Sequence, residues 1–198
     1  MKIYERNNVM KKIFYLGYYD TPDNKSENRN IVLAATNKMT YIVSAMEKAG
    51  YSVALISDSQ THNSQNYDGK SVDICENSKL VLFKTIPWGK KTNRVLSVIY
   101  SKLQLVNYIL KNIGKEDTLV VYHSVAYANI IRILKKIKKF KLVLEVEEIY
   151  ADVVHSESYR KIEKKTFECA DSYIFSTELL DEKVNKENKP STVIYGAY

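Results

Sequence analysis

The chain has 198 residues, 45% hydrophobic and 27% charged, which suits one well-buried domain and is short for two. With 6 glycines and 3 prolines it is neither fibrous nor disordered in composition. A net charge of +7 and a pI near 9.1 would favour nucleic acid, an anionic membrane surface or an acidic small molecule as partner.

"KIFYLGYY" (Lys12–Tyr19) reads as a first strand, followed by the polar, proline-containing loop "DTPDNKSENRN". From Asn30 to Ala49, residues Ile31, Ala35, Met39, Ile42, Met46 and Ala49 recur at steps of three and four. This is an amphipathic helix, and Gly50 closes it. "SVALIS" (Ser52–Ser57) is a second strand, the polar stretch Ser59–Ser78 has no assignment, and "LVLFKT" (Leu80–Thr85) is a third strand. "PWGKKTNR" is a loop, and a helix over Val95–Ile113 stops at Gly114. Strands at Thr118–His123, Lys141–Val146 and Ser172–Thr177 alternate with helices at Val125–Lys138, Ser158–Cys169 and Glu178–Asn185. Ser191–Gly196 is a last short strand. The alternation predicts one α/β domain: a doubly wound, mostly parallel sheet with helices on both faces.

Several classes fall away. Cys75 and Cys169 form no CxxC pair, which fits free thiols in a reducing compartment. No apolar run approaches the roughly 18 residues that span a bilayer, and "MKIYERNNVMKK" is polar where a signal peptide would be apolar. The expectation is a soluble, cytoplasmic protein, with peripheral contact at the inner face of the membrane left open. Gly17 stands alone, so there is neither a GxGxxG nor a P-loop pattern. His62, His123 and His155 lack metal-ligand spacing, so no metal and no cofactor is expected. The run "RILKKIKKFK" (Arg132–Lys141) is either a solvated helix face or a patch for anionic headgroups. Aromatics do not alternate with its lysines, and nucleic acid is not an expected partner.

In open α/β sheets the ligand crevice lies beyond the carboxyl ends of the strands, where strand order reverses. With the order 3-2-1-4-5-6, the first, fourth and fifth strands meet there. Their ends bring Tyr18–Asp20, Tyr122–Ser124 and Val146–Glu148, and hence hydroxyls, an imidazole and carboxylates, toward one polar ligand. Each has a structural alternative: His123 as a strand-end hydrogen-bonder, Glu147 and Glu148 as ion-pair members, Asp20 as a turn residue. Arg29 and Asn30 sit near the first turn of the next helix, where backbone N–H groups favour an anion.

The segments "VVYHSVAYANIIRILKK", "FKLVLEVEEIYADV", "ECADSYIFSTELLDEKV" and "VIYGAY" together resemble the N-terminal half of bacterial glycosyltransferases of the GT-B fold. The likeness is to glycosyltransferase family 4 and capsular or exopolysaccharide enzymes. "IVLAATNKMTYIVSAMEKAGYSVALIS" is similar to that family's first helix and second strand, and the resemblance runs from Lys12 to Tyr198. It implies that residues 1–198 are a Rossmann-like acceptor-side domain, with the C-terminal donor-binding domain absent from this chain. Alone the chain is then expected to be inactive. The implied partners are a nucleotide-sugar donor, held mainly by the missing domain, and a glycan or lipid-linked acceptor of cell-surface polysaccharide or glycolipid synthesis.

Carried over by position, the loop from Tyr19 and Asp20 to Arg29 and Asn30 matches the place where such enzymes contact acceptor and donor phosphate. His123, followed by Ser124, matches a histidine lining the cleft. Glu147 and Glu148 match a polar pair that is His-Asp in many relatives. The implied catalytic residues are His123 and Asp20; Tyr19, Arg29, Asn30, Ser124, Glu147 and Glu148 are the implied acceptor contacts. In an inverting enzyme Asp20, His123 or Glu148 would take the acceptor proton; in a retaining one His123 would position the sugar. The alternative is a non-catalytic Rossmann-like module that binds a sugar or a partner.

Overall fold

The apolar runs pair as parallel strands that are buried on both faces, the pattern that near-continuous Val/Ile/Leu segments produce. A computed structural model describes residues 10–88 and 91–196. The parallel strands are β1 (Lys11–Leu16), β2 (Tyr51–Ser57), β4 (Lys79–Leu82), β5 (Thr118–Tyr122), β6 (Lys141–Val146), β7 (Ser172–Phe175) and β8 (Ser191–Val193). The sheet order is β3-β4-β2-β1-β5-β6-β7-β8, with β3 (Lys70–Asp73) antiparallel at the edge. The expected order holds for the strands read from the sequence. β3 is the addition: in "KSVD" only Val72 is apolar, and the strand is largely exposed. Such a segment, held by one neighbour and a turn from Ile74 to Ser78, carries almost no hydrophobic signal.

The helices are α1 (Leu33–Lys48), α2 (Lys91–Asn112), α3 (Val125–Lys138), α4 (Tyr150–Val153), α5 (Glu157–Cys169) and α6 (Glu178–Val184), with a 3-10 helix over Pro22–Glu27. Among the described residues, side-chain caps begin three of them: Ser124 for α3, Ser156 for α5 and Thr177 for α6. α2 starts four residues before the expected Val95, because its polar first turn shows no apolar periodicity. Gly50, at φ +86°, ends α1 as expected.

One core lies under α1 and contains Tyr15, Met39, Ile42, Leu55 and Val120. The other lies under α2, α3 and α5 and contains Leu16, Ile56, Leu105, Ile109, Ile131 and Phe167. Full burial of each such side chain contributes about 1.5–3 kcal/mol. The lone Gly17 serves this packing. A Cβ there would come within 2.6 Å of Met39 Cε and 3.2 Å of Tyr122 Cβ, so a side chain at this position would force the buried end of Met39 to shift. Among the described residues no helix is long and apolar enough to cross a membrane.

Candidate functional site

Beyond β1 the chain turns into a tightly bonded loop. Tyr19 is buried; its N–H donates to Ser57 Oγ at 3.0 Å and its hydroxyl meets Thr40 Oγ1 at 2.9 Å. Asp20 accepts hydrogen bonds from the Thr21 N–H and from Asn24 Nδ2, each at 2.9 Å. Burial pushes its carboxyl above the usual range, outweighing those bonds and the pull of Arg29. Arg29 donates to Glu27 at 2.7 Å and to the carbonyls of Ser59 and Phe83 at 2.9 and 3.1 Å. Burial would raise the Glu27 carboxyl, but Lys70 and Arg29 hold it below the usual range. Asn30 exchanges two bonds with the Gln60 backbone, at 2.7 and 2.9 Å, and so straps the loop to the segment after β2.

This loop, the first turns of α1 and the end of β3 enclose a groove of about 980 Å³. Tyr19, Asp20, Arg29, Thr36, Thr40 and Tyr41 are among its walls, with Asp23, Asn37 and Asp73. The N-cap of α1 is Val32, which offers no side-chain acceptor to the first-turn N–H groups. Two buried polar atoms on the lining residues have no hydrogen-bond partner: Arg29 Nη2 and Thr36 Oγ1. An unmade bond of this kind costs about 1–3 kcal/mol.

His123 lies at the same end of the sheet but on the opposite face. It is 2% exposed, its Nε2 is 2.8 Å from Glu163 Oε1, and its ring centroid is 5.0 Å from that of Phe167. Burial would raise the Glu163 carboxyl; the His123 bond and the N–H groups of Ala151 and Tyr150 bring it below the usual range instead. Ser124 accepts the N–H of Ala126 as the cap of α3. The three glutamates of "EVEE" have three fates. Glu145 is fully buried, accepts the Tyr15 hydroxyl and keeps Oε1 without a partner; burial pushes its pKa to about 7. Glu147 pairs with Lys38 at 2.5 Å, and Glu148 is exposed.

The structure therefore gathers Tyr19, Asp20 and Arg29 at one groove, with Asn30 as its strap. It does not bring His123, Ser124, Glu147 or Glu148 into that lining. Lys38 leaves α1 two residues after Thr36 and hence on another flank, which puts Glu147 across the helix from the groove. The cause for His123 is strand parity. Leu119, Val121 and His123 leave β5 and its end on one face, Val120 and Tyr122 on the other.

A further polar cluster has no counterpart in the sequence reading. Asp58, fully buried after β2, accepts the Tyr127 hydroxyl and Lys102 Nζ, each at 2.5 Å. The Lys102 ammonium also stands 4.1 Å from the Tyr127 ring centroid, and Tyr18 stacks on Tyr127 at 5.4 Å. Burial, then the Asp58 charge, raises the pKa of both tyrosine hydroxyls. Asp58 was legible as an acid at a strand end; Lys102, deep in α2, had no local cue. A cavity of about 440 Å³ between α5 and α6 meets none of the expected site residues. Among the described residues no group of three or more His, Cys, Asp and Glu side chains is placed to hold a metal ion.

No family model matches the sequence, and no curated protein matches it. Solved structures do. A sucrose-phosphate synthase chain from Thermosynechococcus elongatus aligns with TM-score 0.56 and 10% identity, over 94% of this chain and 90% of that one. A longer chain of that enzyme aligns with TM-score 0.59 and 10% identity, over 93% and 48%. An α,α-trehalose-phosphate synthase (UDP-forming) from Burkholderia xenovorans, in complex with glucose-6-phosphate, aligns with TM-score 0.55 and 9% identity, over 88% and 42%. The chain thus spans under half the length of the two longer structures. At these identities the likeness concerns architecture, and it is the expected one: a Rossmann-like α/β unit of the kind that forms half of a GT-B fold.

Proposed function

We propose that this chain is the acceptor-side domain of a nucleotide-sugar-dependent glycosyltransferase, and that the groove beside α1 holds the acceptor. The fold it shares with sucrose-phosphate and trehalose-phosphate synthases supports the class. One observation carries the site: the buried acid Asp20 lines the same groove as Arg29 and Thr36, each of which keeps one buried polar atom, Nη2 and Oγ1, without a partner.

The lining suits a hydroxyl-rich ligand. Sugar hydroxyls both donate and accept, and the wall offers carboxylates as acceptors, Lys25 as donor, and Asn and Thr side chains as both. Tyr41, 56% exposed, adds a flat apolar surface for a sugar ring. Three acids, Asp20, Asp23 and Asp73, stand against Lys25 and Arg29 in the lining, which disfavours a heavily anionic acceptor. A single phosphate or carboxylate would belong at the uncapped start of α1.

Asp20 is the proposed proton acceptor, since a carboxylate with a raised pKa is the stronger base. His123 is proposed as a positioning residue, fixing the end of β5 against α5 through Glu163. Glu147 is proposed to set the tilt of α1 through Lys38. Glu148 faces outward, where a donor-binding half of the whole protein would approach. The donor would be a nucleotide sugar, and the setting cell-surface polysaccharide or glycolipid synthesis with a glycan or lipid-linked acceptor. Saturation-transfer NMR with a panel of saccharides and sugar monophosphates tests this. Binding should be weakened by Asp20→Asn and by Thr36→Val and unaffected by Glu148→Gln. No saccharide binding, or binding indifferent to Asp20 and Thr36, removes the acceptor groove.

A further inference from the structure

α2 is amphipathic twice over. Ser97, Ser101, Leu105 and Ile109 turn inward and are buried. On the outer side Leu96, Ile99, Leu103 and Leu110 recur at heptad spacing and are between 40% and 63% exposed. α3 packs alongside, tied to α2 by Lys138 Nζ on the Leu110 carbonyl at 2.7 Å. It adds Ile133 and Ile137 to the same outer surface, 59% and 61% exposed. Six large aliphatic side chains therefore share one face of two adjacent helices, where a monomer's exposed apolar residues are ordinarily scattered.

The charge around the stripe selects its partner. Neither helix contains an Asp or Glu: "KTNRVLSVIYSKLQLVNYILKN" and "VAYANIIRILKKIK" carry only basic charges. Exposed lysines flank the stripe on both margins, Lys111 on the α2 side and Lys136 on the α3 side. A second copy would bring like charges together. Protein interfaces are depleted in lysine, whereas aliphatic side chains with lysine margins are the pattern of helices lying in the headgroup plane.

We propose that the outer face of α2 and α3 docks on an anionic lipid bilayer, the six aliphatic side chains entering the acyl boundary and the marginal lysines meeting headgroups. The proposal is independent of the acceptor groove, which lies on the opposite face of the sheet.

The test is co-sedimentation of the full chain with vesicles of phosphatidylcholine, alone or mixed with phosphatidylglycerol. The chain should partition at least about tenfold better onto the anionic vesicles, and added salt should remove most of that preference. Leu103→Glu with Ile137→Glu should lower partitioning about tenfold or more; both sites are exposed, and circular dichroism and melting of the variant should match the parent. Lys111→Glu with Lys136→Glu should remove the anionic preference alone. No vesicle binding, or equal binding to neutral and anionic vesicles, overturns the proposal. So does a dimer in sedimentation velocity that the Leu103/Ile137 pair abolishes in a chain that ignores vesicles, which would make a second copy the occupant.

Discussion

The two faces of the sheet end in clusters of the same residue types, finished in different ways. Under α2, α3 and α5, the Asp58 carboxylate is closed by Lys102 and Tyr127, and His123 by Glu163. Under α1, Arg29, Thr36 and Glu145 each keep a buried polar atom without a partner; on the other side the Ser97 hydroxyl of α2 does so too. Satisfied buried groups hold elements together, whereas unsatisfied ones cost stability and so mark places where binding can repay it. The greater number on the second face supports the proposal that this is the face that binds a ligand.

The largest expected effect tests the closed side. Asp58→Ala leaves the Lys102 ammonium without its counter-charge and should cost about 3–5 kcal/mol in urea unfolding, much of it recovered by adding Lys102→Met. A loss below about 1 kcal/mol would mean that the cluster is not closed to water. Next comes Glu145 on the other face. Its pKa of about 7 in the folded chain, against 4.5 as the ordinary value, means the native state holds its proton longer than the unfolded one. Stability should therefore fall as pH rises from about 4.5 to 7, by about 3 kcal/mol in all, and level off above. Glu145→Gln should flatten that slope; an unchanged slope would place its origin elsewhere.

Smaller changes sharpen the functional half of the contrast. In the whole protein Asp20→Asn should lower turnover about a hundredfold, and the parent's activity should decline as acid protonates Asp20 at a pH above the ordinary carboxylate range. His123→Ala should instead cost about 1–3 kcal/mol of stability and leave saccharide binding by the groove intact. Saccharide binding lost with a well-folded His123→Ala variant would erase the distinction between the faces. The smallest effect is expected at Thr36→Val, which removes a buried hydroxyl without a partner: stability up by about 1 kcal/mol, saccharide affinity down by up to about tenfold.

Much of this fold was legible before the structure. α3 was readable to the residue because Ser124 caps it and its apolar spacing is regular; β6 was readable from the apolar run Leu142–Leu144 and from Val146, with Glu145 as the one acid inside it. β3 was not, since an edge strand of four residues needs only one neighbour and little burial. The lining of the proposed groove was half legible. Tyr19, Asp20 and Arg29 follow from strand order and loop length, which the sequence displays. His123 and Glu147 were grouped with them because strand ends were counted without regard to which face each side chain leaves. The Arg29–Glu27–Lys70 network joins segments dozens of residues apart and had no local signature.

That network gives the outermost strand a significance beyond its size. Lys70 opens β3 and grips both Asn24 and Glu27, while Glu27 in turn holds Arg29. The wall of the groove is thereby moored to the rim of the sheet, so trimming that rim, or adding a neighbour to it, would be felt at the groove some distance away.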